Sequence, residues 1–94
     1  MSHYNYKFET YKYEVIKIND KQESWDGIIT LTKKIRASHR YIDRYVVDDF
    51  IKFTKDEIVF KTHFTDYDEK DNEINVKLII KLKPVKFNYN NLTI

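Results

Sequence analysis

All three arginines of this chain fall within nine residues, in the stretch Lys33-Lys34-Ile35-Arg36-Ala37-Ser38-His39-Arg40-Tyr41-Ile42-Asp43-Arg44. A guanidinium presents a planar fork of donors that matches a carboxylate or a phosphate in bidentate fashion. If a helix starts here, Arg40 and Arg44 share one face of it. Cations beside the positive end of a helix dipole are unfavourable unless an anion lies close by. Arg36, Arg40 and Arg44, with Lys33 and Lys34 before them, are therefore the first candidates for a partner-binding cluster. The plainer use of the same residues is a solvated basic face neutralised by Asp43, Asp48 or the acidic loop further on.

A second constellation lies near the N-terminus, where Tyr4, Tyr6, Phe8, Tyr11 and Tyr13 are interleaved with Lys7 and Lys12. Aromatic and basic residues mixed in this way resemble the surfaces on which nucleic-acid bases stack. Packing within a sheet is the commoner role of such residues in a strand. The alternation changes phase near Thr10, which puts aromatics on both faces of one strand. Tyr4, Tyr6, Tyr11 and Tyr13 are on that ground expected at an interface with a partner or with a second copy of the chain.

The third candidate is a run of lysines at 77, 81, 83 and 86, with no acid after Glu73. Lys77, Lys81 and Lys83 share a strand parity opposite Ile80 and Leu82, so they line one sheet face and are placed to track phosphates. A formal net charge of +2 is modest for a nucleic-acid-binding domain. Keeping an open face soluble is the simpler role for this strip.

Catalytic constellations are weak. Asp66, Asp68, Asp71 and Glu73 crowd one loop, but Lys70 and Asp71 stand where a calcium loop needs its third ligand and its glycine. His3, His39 and His63 lie in different elements and lack the spacing of a zinc site. His63 with Asp66 or Asp68 makes an acid–base pair with no nucleophile motif beside it. A single glycine leaves few places for a phosphate-cradling loop. The expectation is a chain that is not an enzyme and holds neither cofactor nor metal.

The elements that must position these residues follow from the spacing of apolar side chains. Residues 4–18 and 28–35 alternate as strands, joined across the polar tract Asn19 to Gly27. Ser38 is suited to cap a helix over Tyr41 to Phe53, because Ile42, Tyr45, Val46, Phe50 and Phe53 fall on one helical stripe. The β-branched and aromatic run Tyr41 to Val47 speaks for strand instead. Ile58, Phe60 and Phe64, and then Ile74 to Leu82, alternate again as a hairpin around the loop Asp66 to Glu73, with Pro84 at its end and a short last strand over Val85, Phe87 and Tyr89. The expected fold is α+β in the order ββαββ(β), an antiparallel sheet of four or five strands with one helix on its apolar face, over residues 1–94 as one domain.

The chain has no cysteine, so disulfides, thiol nucleophiles and Cys-based zinc sites are excluded. It shows no signal-peptide pattern and no apolar run of membrane-spanning length, which places it in the cytoplasm and away from membranes. Lys, Asn, Ile, Tyr and Phe make up half of the 94 residues, while Gly, Ala and Pro occur once each. That is the composition of a very AT-rich genome such as a phage or another mobile element. The leading expectation is a small interaction protein that binds and blocks a larger protein or ribonucleoprotein of the host, such as a nucleic-acid-targeting defence enzyme, in the manner of an anti-CRISPR or anti-restriction protein. A small nucleic-acid-binding or regulatory protein is the alternative, and a minor enzyme or metal-dependent nuclease stands third.

Overall fold

The computed structural model describes residues 9–18 and 23–85. These residues form six antiparallel strands and no helix: β1 (Glu9–Ile18), β2 (Glu23–Leu31), β3 (Tyr41–Ile42), β4 (Tyr45–Phe53), β5 (Ile58–Tyr67) and β6 (Glu73–Pro84). They make one curled, half-barrel sheet in the order β2-β1-β6-β5-β4-β3. The α+β expectation is thereby overturned. The stretch expected to be a helix is a hairpin, in which β3 meets β4 across the two-residue turn Asp43–Arg44.

The register explains why Tyr41 to Phe53 imitates a helix. Against β5, β4 slips between Val47 and Asp49 and again between Phe50 and Lys52. Each slip inserts one residue into an otherwise alternating strand. The side chains paired with the buried parity of β5 are then Val47 with Thr62, Phe50 with Phe60 and Phe53 with Ile58. Their spacing of three residues is close to a helical turn, although the backbone is extended. Asp43 takes a φ of 55° in the turn, a left-handed conformation that Asp tolerates better than most side chains.

Alternation along the other strands sorts the residues onto an inner and an outer face. The inner face carries Tyr11 and Val15 of β1, Val76, Leu78, Ile80 and Leu82 of β6, and Ile58 and Phe60 of β5, joined by Ile42 of β3. Ile35 belongs to the same core although it lies in no strand. The segment 32–40 that carries it must run from β2 at one edge of the sheet to β3 at the other. In a flat sheet those ends are separated by about 24 Å sideways and about 30 Å along the strands, whereas ten fully extended links reach only about 33–36 Å. The segment is also shortened by a turn in which His39 N donates to Arg36 O at 3.0 Å. The curl of the sheet brings the two ends within reach, and Ile35 anchors the crossing to the core.

Two inner-face positions are polar. Tyr11 is buried and its hydroxyl donates to the Glu9 carboxylate. Burial, then that bond, then the charge of Glu9 push its pKa well above the ordinary tyrosine range, so it remains a donor. Thr62 is 1% exposed, and among the described residues its hydroxyl has no partner. An unsatisfied buried hydroxyl costs about 1–3 kcal/mol, and valine has the same shape without it. Thr62→Val is therefore expected to stabilise the fold by about 1 kcal/mol, raising the melting temperature by about 4–8 °C. Thermal denaturation followed by circular dichroism measures this, and a lower melting temperature would show that the hydroxyl is satisfied after all.

No helix among the described residues is long and apolar enough to cross a membrane. Gly27, expected at the end of a loop, lies in the middle of β2 opposite Tyr13, and Pro84 closes β6.

Candidate functional site

The basic stretch lies on the crossing segment and the turn that follows it, and not at a helix start. Lys33, Lys34, Arg36, Arg40 and Arg44 are all exposed. Arg36 begins the turn closed by His39, whose Nδ1 also accepts from Arg36 N at 2.5 Å. Ser38, expected as a helix cap, sits inside that turn. Arg40 abuts the hairpin, because its carbonyl accepts from Val47 N at 2.9 Å. Arg44 occupies the β3–β4 turn with its guanidinium 5.8 Å from the centre of the Tyr45 ring, within range of a cation–π contact. The shared helix face expected for Arg40 and Arg44 does not exist; a two-residue strand separates them instead.

The electrostatics of this segment are one-sided. Lys33 to Arg44 contains five cations and one carboxylate, Asp43, in a chain whose formal net charge is +2. Among the described residues no ion pair involves any of the five cations. Of the acids expected to neutralise them, Asp48 and Asp68 are engaged elsewhere. Asp48 holds His63 Nδ1 at 2.7 Å, and Asp68 accepts from the backbone N–H groups of Lys70 at 2.8 Å and Asn72 at 2.9 Å. Those bonds, with that of Asn72 foremost, hold the Asp68 carboxyl below the usual range. Asp68 therefore builds its turn.

The tyrosines expected at an interface divide differently. Tyr11 lies in the core at 4% exposure and so is not a surface residue, whereas Tyr13 packs against that core half-buried. The physical reason is parity, since Tyr11 and Tyr13 share with Val15 the inner face of β1, while Lys12 and Glu14 on the other face are exposed. Tyr4 and Tyr6 fall outside the described residues, as does Lys86.

Lys77, Lys81 and Lys83 do share the outer face, but acids and other elements share it with them. Lys81 Nζ is 3.8 Å from Glu14, and Lys83 is paired in register with Lys12. A groove of about 530 Å³ on this side is lined by Lys12, Lys81 and Lys83 and equally by Glu14, Asp26 and Glu57. Equal numbers of each sign give no strong field for a polyanion. The second cavity, of about 200 Å³, lies over the inner face between β2 and the β3–β4 turn, with Tyr13, Phe60, Ile80 and Leu82 below and Arg44 at its side. It is smaller than the roughly 300–1,000 Å³ of small-molecule sites.

No protein-family model matches the chain, and no curated protein or solved structure matches it either.

The His63–Asp48 pair is the one acid–base arrangement that the sequence placed wrongly, with Asp66 or Asp68 as the partner. Asp48 is the residue inserted at the first β4 slip, and this is what brings its carboxylate to His63 on the neighbouring strand. Such a pair can orient an imidazole. Both side chains are about 40% exposed, and among the described residues no other side chain hydrogen-bonds the ring. Among the described residues no group of three His, Cys, Asp or Glu side chains is placed to hold a metal ion. The basic crossing segment is the most strongly characterised feature of the surface.

Proposed function

We propose that this chain is a non-enzymatic interaction protein that occupies an acidic or phosphate-bearing surface of a larger partner through the segment Lys33 to Arg44. The observation that carries this reading is the concentration of five exposed cations, none of them ion-paired among the described residues, on one segment of a nearly neutral chain. Positive charge gathered on one surface steers association with an anionic partner and confers specificity. Anchored to the core through Ile35 and to β4 through Arg40, the segment is held in place before binding. Less ordering entropy is then lost when a partner arrives. In this reading the protein blocks a host macromolecule by covering it, and its AT-rich composition fits a mobile-element inhibitor of a nucleic-acid-targeting enzyme.

Replacing Arg36, Arg40 and Arg44 together by alanine is expected to weaken association by about 100-fold or more, since charge-assisted bonds contribute about 1.5–3 kcal/mol each. The melting temperature should change little, because all three side chains are exposed. Partner capture from cells of the native host, with wild type and triple variant side by side, reads the first effect and thermal denaturation reads the second. Unchanged capture with a lower melting temperature would make the cluster structural. Titration with mixed-sequence oligonucleotides at about 150 mM salt separates the two kinds of anionic partner. A protein partner predicts binding no tighter than the roughly 1–100 μM of non-specific contact. Submicromolar binding that falls steeply with salt would assign the segment to nucleic acid.

A further inference from the structure

The two edges of the sheet are built differently. One ends in β3, which is two residues long, beside β4 with its two slips. Short edge strands and bulges prevent another chain from adding on. At the other edge β2 presents nine residues, Glu-Ser-Trp-Asp-Gly-Ile-Ile-Thr-Leu, with no lysine, no arginine and no proline. Its pairing with β1 runs without a slip from Glu9 opposite Leu31 to Lys17 opposite Glu23. Among the described residues no backbone hydrogen bond reaches its outer side. Trp25 and Ile28 on this strand are 41% and 67% exposed.

We infer that β2 pairs antiparallel with β2 of a second copy of this chain about a two-fold axis at Gly27, joining the two sheets edge to edge. Three features favour a second copy over another extended segment. Gly27 is the midpoint of Glu23–Leu31, so the register centred on it is the symmetric one that uses all nine residues. In that register Trp25 faces Ile29, Ser24 faces Thr30 and Asp26 faces Ile28, and no acid stands opposite an acid. The strand starts acidic and is followed by cations. Antiparallel pairing therefore sets Glu23 of each copy opposite Leu31 of the other, next to Lys33 and Lys34. Charge complementarity arises twice by symmetry. Lys33 and Lys34 are shared with the proposed partner-binding segment, whereas Arg36, Arg40 and Arg44 are not used in this assembly.

Edge pairing over nine residues covers a small area, so the dimer belongs at micromolar concentration, and about 50 μM is a suitable level for light scattering. The expected mass is twice the 11.5 kDa of one chain. Ile28 of each copy stands directly opposite Asp26 of the other in this register, so Ile28→Glu sets a carboxylate against a carboxylate twice by symmetry. That variant is expected to return the single-chain mass with an unchanged circular dichroism spectrum. Because the chain has no cysteine, register can be read by disulfide formation. Asp26→Cys mixed with Ile28→Cys should give the mixed disulfide in preference to either homodimer. A single-chain mass for the wild type at this concentration would overturn the inference. So would a dimer that survives Ile28→Glu or gives no mixed disulfide.

Discussion

Phe60→Ala is expected to cost about 3–5 kcal/mol, since Phe60 is the largest fully buried side chain among the described residues. A domain of this length has about 5–14 kcal/mol of stability in all, so the variant would lose about a fifth of it or more. The size of the effect follows from position. Phe60 is fully buried on β5, with Ile80 of β6 opposite it on one side and Phe50 of β4 on the other. Its ring centre is 6.1 Å from that of Phe50, which in turn meets Phe53 edge-on at 5.3 Å. Contacts of that kind add about 0.5–1.5 kcal/mol to the area buried. The half-barrel has one packed face and no helix behind it in the described residues, so surrounding side chains have little material with which to refill the cavity. Urea denaturation of the two proteins reads the difference from the shift in midpoint at constant slope. A loss below about 2 kcal/mol would mean that the inner face repacks more freely than this geometry allows.

The residues that make this core were legible where a strand alternates without interruption. Tyr11, Tyr13 and Val15, Ile29 and Leu31, Ile58 and Phe60, and Val76 to Leu82 all follow a period of two, and each lies on the inner face. Tyr41 to Phe53 failed for a physical reason. A bulge changes the sequence period without ending the strand, and two bulges three residues apart turn a period of two into one of three, near enough to a helical turn to imitate it. The fully extended propensity of Tyr41 to Val47 was the surviving signal for strand. The basic cluster was legible as composition, but its setting was not. Arg40 and Arg44 look like helix neighbours at a spacing of four, and only the strand order shows that residues 32–40 cross from one edge of the sheet to the other. Ile35 reads as one more alternating residue of β2, yet it is buried because the crossing lays it against the core. The pairing of His63 with Asp48 was beyond reach from sequence, since it depends on which residue the first slip inserts.

Gly27→Val is expected to destabilise the fold by about 2–3 kcal/mol even though valine is by far the better strand residue. The reason lies on the neighbouring strand. A Cβ built at Gly27 would fall 2.6 Å from Tyr13 Oη, 2.7 Å from Cζ and 2.9 Å from Cε1, so the tyrosine ring already occupies the place of a side chain on β2. An aromatic ring laid across a paired glycine protects backbone that would otherwise be open and compensates for the missing side chain. Any larger residue must push the ring away. Tyr13 lines the cavity above Phe60, Ile80 and Leu82, so its displacement uncovers the inner face at the point where β2 and the β3–β4 turn fail to meet. Two terms compete in the milder change Gly27→Ala. Removing a glycine from a strand gains about 0.5–1 kcal/mol, whereas displacing the ring forfeits its packing, about 1.5–3 kcal/mol for a large side chain. The second term should win, leaving a net loss of about 1–2 kcal/mol. A double-mutant cycle isolates it, because in a Tyr13→Ala background the ring is gone and Gly27→Ala should become neutral or stabilising. If alanine at position 27 stabilises the protein with Tyr13 in place, the ring does not rest on the glycine and the packing described for β1 and β2 is incorrect.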